Sequence, residues 1–287
     1  MLTFDPFVLP QYLLPQHALS RLMGYLTHCR NPLFKNFFIR FVIRMYGINM
    51  AEALQSEPDA YGCFNEFFTR SLLPDARPLC EDMDAVLSPA DGAISQIGEI
   101  QTLWLLQAKG KSYSVTDLLG GDEERARPFE HGKFATIYLS PRDYHRLHMP
   151  VDGALREMVH IPGRLFSVNQ KTVDSVPALF ARNERVVAIF DTSVGPMALV
   201  LVGAIFVASI ETVWHGMVTP PAGKEIRIWK YRDSPAPLKR GVEMGRFNMG
   251  STIIVLFGEK SVTWDEDSYE GKQIRMGERV GMKSSGN

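Results

Sequence analysis

The sequence Gly241-Val-Glu-Met-Gly-Arg-Phe-Asn-Met-Gly-Ser-Thr-Ile-Ile-Val-Leu-Phe257 has two halves of different character. The first half is rich in glycine, and the second half, from Thr252 onward, is β-branched and apolar, which predicts a buried strand. Gly250 and Ser251 lie at the junction. Glycine adopts backbone conformations that other residues avoid, and a serine at the mouth of a buried strand can be held rigidly. The Ser251 hydroxyl could therefore attack the Gly250 carbonyl, although an ordinary entry of a loop into a strand fits the same residues.

The composition is typical of a globular protein with a sizeable core. The chain has 287 residues, 45% hydrophobic and 22% charged, which suits one large domain or two small ones. The formal net charge of -1 gives no overall basic field, which argues against a nucleic-acid partner. The three cysteines lack metal-ligand spacing and indicate free thiols in a reducing compartment. We expect neither a cleaved signal peptide nor a transmembrane helix, because no basic start and no run of about 18 apolar residues occurs.

The N-terminal part of the chain combines basic and large apolar residues. Residues 6–51 contain no aspartate or glutamate but five lysines and arginines. Apolar residues recur there at helical spacing, as in Leu33-Phe34, Phe37-Phe38 and Phe41-Val42, with basic residues largely between them. This pattern predicts a basic amphipathic helix of the kind that lies in the headgroup region of an anionic membrane. The same helix could instead pack on the protein's own core.

From residue 84 onward the pattern favours short strands separated by Gly, Pro and Asp turns. The predicted strands are 93–97, 134–139, 155–161, 186–190, 197–202, 205–210 and 251–257, and the predicted helices are 114–119 and 173–179. The predicted fold class is therefore α+β, with N-terminal amphipathic helices followed by a mostly antiparallel β-sandwich or barrel-like core.

Two loops carry residue types that suit acid–base chemistry. Asp91 lies in the turn Ser-Pro-Ala-Asp-Gly, and His145 and His148 lie in Ser140-Pro-Arg-Asp-Tyr-His-Arg-Leu-His-Met-Pro150. Two histidines three residues apart could bind a metal, but no further Cys/His cluster completes a site, so we expect none. The alternative is a base, an orienting carboxylate and a nucleophile, formed by His148, Asp91 and Ser251. Asp91 also fits the structural role of a plain turn aspartate.

Together these segments resemble the phosphatidylserine decarboxylases over nearly the whole chain. The motifs that carry the resemblance are Phe64-Asn-Glu-Phe-Phe68, Pro89-Ala-Asp-Gly92, Tyr138-Leu-Ser-Pro-Arg-Asp-Tyr-His-Arg-Leu-His-Met-Pro150, Phe166-Ser-Val-Asn169, Phe180-Ala-Arg-Asn-Glu-Arg185, Gly195-Pro-Met197 and Gly250-Ser-Thr252. One departure is Met249, where the family usually has leucine. The two side chains are similar in volume and polarity, so we expect no loss of function.

The resemblance implies a carboxy-lyase that converts phosphatidylserine to phosphatidylethanolamine and carbon dioxide. Such proteins are made as proenzymes that cleave themselves, here between Gly250 and Ser251, into a long chain of residues 1–250 and a short chain of residues 251–287. Ser251 then becomes a pyruvoyl group, a covalent cofactor that forms a Schiff base with the substrate amine.

The resemblance also implies roles for the loop residues. Asp91 and His148 would activate Ser251 for self-cleavage, and His145 would serve the decarboxylation as a proton donor or a positioning group. Tyr138, Phe166 and Ser167 would contact the substrate. Independently of the resemblance, residues 163–169 are a glycine-led loop with two large apolar side chains, which could be either a mobile lid or a buried turn.

The resemblance further divides the chain and places it at a membrane. Residues 1–56 would be a membrane-associating helical segment, and residues 57–287 the catalytic domain. We expect a protein that is peripheral on the cytoplasmic face of the cell membrane, bound to its anionic surface. The cleaved heterodimer of long and short chains would pair into a homodimer.

Two other function classes remain open at this point. A serine hydrolase could use Asp91, His148 and Ser251 on an external ester, although the G-x-S-x-G elbow is absent from the sequence. A non-enzymatic membrane-binding module could keep the amphipathic helices and have lost self-cleavage. The mass of the denatured protein separates the decarboxylase from both, because only self-cleavage leaves two chains.

Overall fold

A computed structural model describes residues 8–206, 209–220, 223–231, 237–249 and 251–284. The helices are α1 (Leu9–Leu13), α2 (Gln16–Thr27), α3 (Pro32–Tyr46), α4 (Phe64–Phe68), α5 (Val115–Leu118), α6 (Glu123–Ala126), α7 (Gln170–Ser175) and α8 (Leu179–Arg182). Single 3-10 turns lie at Met50–Glu52, Pro58–Ala60, Pro74–Ala76 and Arg127–Phe129.

The strands of the described residues are β1 (Ala85–Leu87), β2 (Gly92–Glu99), β3 (Trp104–Ala108), β4 (Lys111–Ser114), β5 (Lys133–Tyr138), β6 (Arg146–His148), β7 (Gly153–Ile161), β8 (Arg185–Thr192), β9 (Gly195–Val202), β10 (Ser209–Thr212), β11 (Gly216–Met217), β12 (Arg227–Lys230), β13 (Glu243–Asn248), β14 (Thr252–Phe257), β15 (Val262–Trp264), β16 (Gln273–Ile274) and β17 (Arg279–Lys283). The strands of each sheet pair antiparallel. The predicted α+β class with N-terminal helices and a mostly antiparallel core is confirmed, and the largest sheet is open at both edges.

The predicted amphipathic helix is present as α3, and its ends have clear sequence signals. The side-chain oxygen of Asn31 accepts hydrogen bonds from the backbone nitrogens of Leu33 (3.1 Å) and Phe34 (3.2 Å), which satisfies donors that the first turn leaves open. Pro32 occupies the first helical position, where its missing N–H costs nothing. Gly47 ends the helix in the left-handed conformation, at φ 63°.

Helix α3 has one face on the protein and another in solvent. Ile39 and Val42 are buried and pack against the phenylalanines of α4 in a small cluster of their own. Leu33 and Phe37 on the open side are 85% and 70% exposed. None of the helices in the described part of the chain has the length and apolar character that crossing a bilayer requires.

The second half of the opening stretch is the strand β14, in the middle of the largest sheet. The strand order is β12-β7-β8-β9-β14-β5-β2-β16. Ile254 and Leu256 face one hydrophobic cluster, under α5 to α8 and the β3–β4 hairpin, and Ile253 and Val255 face a second cluster under the smaller sheets. Because both faces of β14 are covered, its sequence is a continuous apolar run and not an alternating one.

The first half of the stretch is β13, in a smaller sheet of order β11-β10-β13-β6. In this sheet Arg246 lies opposite Arg146 of β6. Strand β14 lies between β9 and β5 in the large sheet, where Thr252 is opposite both Val202 and Tyr138. Between Asn248 and Thr252 the chain therefore passes from one sheet to the other, beside the loop that holds the two predicted histidines.

Two of the predicted elements are wrong in their bounds. Residues 205–206 form a turn, and the strand starts at Ser209; residues 207–208 lie outside the described residues. The predicted helix 173–179 is two short helices, because α7 ends at Ser175 and Val176 is extended at ψ 115°. Val176 precedes Pro177, and a residue before proline disfavours the helical conformation.

Candidate active site

The junction between the two sheets holds Ser251 in a fixed position. Its side chain is fully buried, and its hydroxyl donates to the carbonyl oxygen of Val202 on β9. The Ser251 carbonyl accepts from the backbone nitrogen of Leu139 at 2.8 Å. Met249 has a φ of 91°, which is uncommon for a residue with a side chain and persists only where the surroundings enforce it. Gly250 lies outside the described residues.

His145 is fully buried beside this junction. Its carbonyl accepts from the backbone nitrogen of Phe247 (3.1 Å), two residues before Met249. Its Nδ1 lies 2.8 Å from the carbonyl oxygen of Asp143, and since a carbonyl only accepts, Nδ1 carries the proton. Burial and the nearby charge of Arg70 lower the pKa of His145 to about 3. The ring is therefore neutral at pH 7, and its Nε2 lone pair has no partner among the described residues.

His148 lies three residues further along, at the end of β6. Its Nδ1 donates to the carbonyl oxygen of Gly241 (2.8 Å), so Nε2 is the acceptor of a 3.3 Å hydrogen bond from the Tyr144 hydroxyl. Burial lowers the pKa of His148 and raises that of Tyr144 to about 12. His148 is thus a neutral ring with a lone pair on Nε2 at pH 7, which is the protonation state of a base.

Asp91 is held by an arginine. Nε of Arg77 donates to Oδ1 (2.9 Å), Nη2 donates to Oδ2 (2.5 Å), and the backbone nitrogen of Met276 adds a third bond of 2.9 Å. Arg77 also pairs with Glu52 at 2.8 Å. The charges and hydrogen bonds of both carboxylates raise the pKa of Arg77, against the effect of its burial. Asp91 is therefore a carboxylate fixed in place by a buried cation.

The three residues of the predicted triad lie on neighbouring segments but have separate partners. The backbone nitrogen of His148 donates to the carbonyl of Pro89 at 2.8 Å, two residues before Asp91. Within the described ranges, the hydrogen bonds of the His148 ring go to Gly241 and Tyr144, and that of the Ser251 hydroxyl goes to Val202. Their joint action in self-cleavage stays a prediction that this arrangement does not test.

A cavity of about 870 Å³ opens next to the junction. Residues of helices α1 to α4, of β5 and of the loops around 167–169 and 204–206 line it. The lining residues are Pro10, Gln11, Leu14, Met23, Phe38, Phe41, Val42, Met45, Tyr46, Phe64, Phe68, Tyr138, Leu139, Pro141, Ser167, Val168, Asn169, Ala204, Ile205, Phe206 and Met249. Among the residues that the structure describes, this lining is apolar or neutral throughout, which suits the acyl chains of a lipid more than a polar metabolite.

The predicted substrate contacts differ in their position. Tyr138 and Ser167 line the cavity. Phe166 is fully buried beneath them, with its ring centroid 4.9 Å from that of Tyr12. The backbone nitrogen of Ser167 donates to the side-chain oxygen of Gln11 (2.9 Å), and that of Leu165 donates to Gln16 (2.8 Å). Residues 163–169 thus form a turn bonded to the first two helices.

Sequence reasoning missed Arg77 and Arg70, which lie in or beside a stretch of prolines that resembles a linker. A pairing between Arg77 and Asp91 has no local pattern, because neither helical nor strand spacing relates the two positions. In the described part of the chain, no group of three or more His, Cys, Asp or Glu side chains lies close enough to hold a metal ion.

Comparisons with known proteins agree on one family. A family model described as phosphatidylserine decarboxylase matches residues 64–282, and a second model, described as PSD, matches residues 6–47. A phosphatidylserine decarboxylase proenzyme of Bordetella pertussis is 59% identical over 283 residues, covering 97% of this chain and 95% of the relative. Proenzymes of the same name from Pseudomonas entomophila (56% over 279 residues; 96% and 97%) and Methylococcus capsulatus (54% over 280 residues; 98% and 97%) are similar to it along almost their whole length.

Proposed function

Since the chain belongs to the phosphatidylserine decarboxylase family, we propose that it removes the carboxyl group of phosphatidylserine, giving phosphatidylethanolamine and carbon dioxide. The observation that carries this proposal is the buried Ser251, held at the mouth of the central strand next to a large neutral cavity. The matched relatives are named proenzymes, which supports a precursor that is cut into two chains.

Self-cleavage would take place between Gly250 and Ser251. The Ser251 side-chain oxygen attacks the Gly250 carbonyl carbon. The acyl group of Gly250 moves from the Ser251 nitrogen to this oxygen, so the amide becomes an ester. Elimination releases Gly250 as a carboxylate, and hydrolysis then releases ammonia and leaves the new N-terminus as a pyruvoyl group. The fixed Ser251 hydroxyl and the bent backbone at Met249 support this step, because they hold the nucleophile in one orientation.

The base in this step would be His148, with Asp91 as the carboxylate that supports it. A serine hydroxyl is a weak nucleophile at neutral pH and needs a neutral base to accept its proton. His148 has the required lone pair on Nε2, which would have to exchange its bond with Tyr144 in order to accept the proton of Ser251. Because Arg77 holds Asp91 rigidly, the ring moves while the carboxylate stays.

The described residues fit a pyruvoyl group at position 251. The group is no larger than the serine it comes from, and the Ser251 side chain is enclosed without contact to solvent. Once formed there, the ketone would supply a site for the substrate amine and a sink for the electron pair that carbon dioxide leaves behind. His145 would either position the reacting groups through the Nε2 lone pair, which has no partner among the described residues, or deliver a proton to the α-carbon after first taking one up at that atom. This nitrogen is buried, and the Phe68 ring packs against the His145 ring with 4.0 Å between the centroids.

The N-terminal helices would bring the cavity to the lipid. Helices α1 to α3 contribute much of the cavity lining and also expose apolar side chains to solvent, including Leu13 and Leu33, each 85% exposed. We infer that residues 1–56 lie on the anionic cytoplasmic face of the cell membrane, so that phosphatidylserine enters the cavity without leaving the bilayer interface. Pairing of two cleaved heterodimers belongs to the same proposal.

A comparison of the chain with its Ser251→Ala variant tests the proposal. The original chain should appear as two chains after denaturation and release carbon dioxide from phosphatidylserine vesicles. The variant should remain one chain and release none. Carbon dioxide release by the uncut variant would overturn the proposal.

A further inference from the structure

Arg70 is a buried cation whose hydrogen-bonding capacity is largely unused. It follows α4, and its side chain is 5% exposed. Its Nη2 makes one long hydrogen bond, 3.4 Å, to the carbonyl oxygen of Arg142. Its Nε and Nη1 are buried and have no partner among the described residues. The guanidinium carbon lies 5.4 Å from the centroid of the Phe67 ring, which leaves the N–H edges free.

Other buried arginines of the described chain are satisfied. Arg125 pairs with Glu157 at 2.9 Å and donates to the Leu119 carbonyl, and Arg185 donates from all three nitrogens to backbone carbonyls. Leaving buried N–H groups of a charged side chain unpaired is costly, so native structures rarely retain them without a ligand. Arg70 is therefore unusual within this molecule.

The carboxylates nearest to Arg70 are already taken. Asp91 and Glu52 are close enough to favour its charge, but both are bound by Arg77 at 2.5 Å and 2.8 Å. Burial has the largest effect on Arg70 and lowers its pKa. A carboxylate from outside would supply the missing counter-charge without breaking any existing ion pair.

Arg70 lies close to residues that line the cavity, although it is not itself one of them. Its charge acts on His145, whose ring packs at a tilt against Phe68, and Phe68 and Met249 both line the cavity. The described lining residues carry no charge, although the substrate of the proposed function carries both a phosphate and a carboxylate. Tyr138 and Ser167 also line the cavity, and their hydroxyls are neutral groups that suit the phosphate, which keeps contact with water more easily.

We propose that Arg70 binds the carboxylate of the serine headgroup through Nε and Nη1, and so selects phosphatidylserine over lipids that lack this group. The inference rests on the proposed function. The same ion pair gives Arg70 a role in product release. The carboxylate leaves as neutral carbon dioxide, so the product has no carboxylate to pair with Arg70. The loss of this ion pair favours release of phosphatidylethanolamine.

The experiment uses full-length Ser251→Ala protein, which cannot cleave itself, and measures binding of short-chain phosphatidylserine and phosphatidylethanolamine by calorimetry. We expect tighter binding of phosphatidylserine. Adding Arg70→Gln should weaken binding of phosphatidylserine by about tenfold or more, as expected for loss of a charge-assisted pair, and leave phosphatidylethanolamine unchanged. Arg70→Lys should keep part of the preference. Arg142→Gln is the matched control, since its side chain in the adjacent loop is 56% exposed, and it should keep all of it.

A second arm separates the substrate carboxylate from the oxyanion of self-cleavage. Arg70→Gln in the chain that retains Ser251 should still give two chains on denaturation. If Arg70→Gln blocked cleavage, Arg70 would serve the cleavage step or the fold. If it reduced the affinity for both lipids equally, Arg70 would bind the phosphate. Either result overturns the proposal. If the original chain released no carbon dioxide but Ser251→Ala still showed an Arg70-dependent preference, the proposed function would fail and the carboxylate site would stand.

Discussion

The ion pair between Arg77 and Asp91 should contribute strongly to stability. Their side chains are 8% and 7% exposed, so the substitution Arg77→Leu would leave the Asp91 carboxylate buried with only the backbone nitrogen of Met276 as a donor. Glu52, 24% exposed, would lose its 2.8 Å ion pair with Arg77 and keep the longer one, 3.7 Å, with Arg275. Breaking a buried pair by removing one member costs about 3–5 kcal/mol, and we expect the free energy of unfolding to fall by that amount at pH 7.

The assay is urea unfolding followed by circular dichroism, in the Ser251→Ala background so that every variant is a single chain. Arg156→Leu is the control. Arg156 pairs with Asp191, and their side chains are 43% and 61% exposed, respectively. Such exposed pairs contribute about 0–1 kcal/mol. Removing both charges, in Arg77→Leu with Asp91→Asn, should cost less than Arg77→Leu alone, because no unpaired charge stays at position 91. The reasoning is refuted if Arg77→Leu costs no more than Arg156→Leu, or if the double variant is the less stable one.

Three further predictions concern pH, membrane binding and cleavage. His145 stays neutral in the folded protein down to about pH 3 but is protonated in the unfolded chain below about pH 6.5, so its contribution to stability is complete above pH 6.5 and is lost as the pH falls. Between pH 6 and pH 4, the original chain should lose about 1.4 kcal/mol per pH unit more than His145→Gln in urea titrations; equal slopes would contradict this. The substitution Phe37→Ser, at a side chain 70% exposed on α3, should weaken sedimentation with anionic vesicles by about tenfold or more, since burying such a side chain is worth about 1.5–3 kcal/mol, whereas Met217→Ser, 58% exposed on β11, should not. His148→Gln should leave the chain uncut on denaturing gels while Arg142→Gln is cut normally; cleavage of the His148 variant at the normal rate would exclude His148 as the base.

The sequence predicts the strand around which the site is built, because its signal is local. Residues 252–257 are apolar and β-branched without interruption, and the structure explains this by burying both faces of β14. The position of Ser251 at the strand entry follows directly. The helix α3 is equally predictable, since Asn31, Pro32 and Gly47 mark its ends and its apolar spacing marks its face.

The partners of the site residues depend on tertiary contacts that no local pattern encodes. The clamp of Arg77 on Asp91 joins a proline-rich turn to a strand entry, and the unpaired state of Arg70 is visible only once its surroundings are packed. One error had a signal in the sequence, since Pro177 indicates the end of a helix near residue 176. The sequence of the loop 163–169 fits both a lid and a buried turn, and its apolar residues 165–166 are buried.

The intact mass of the purified, denatured protein tests the central claim most directly. The account predicts two chains, with the short chain beginning at residue 251, blocked to Edman sequencing and lighter by one ammonia than a peptide that begins with serine. A single chain of 32.3 kDa from protein that releases carbon dioxide from phosphatidylserine would contradict it, because the activity would then not need a group made from Ser251.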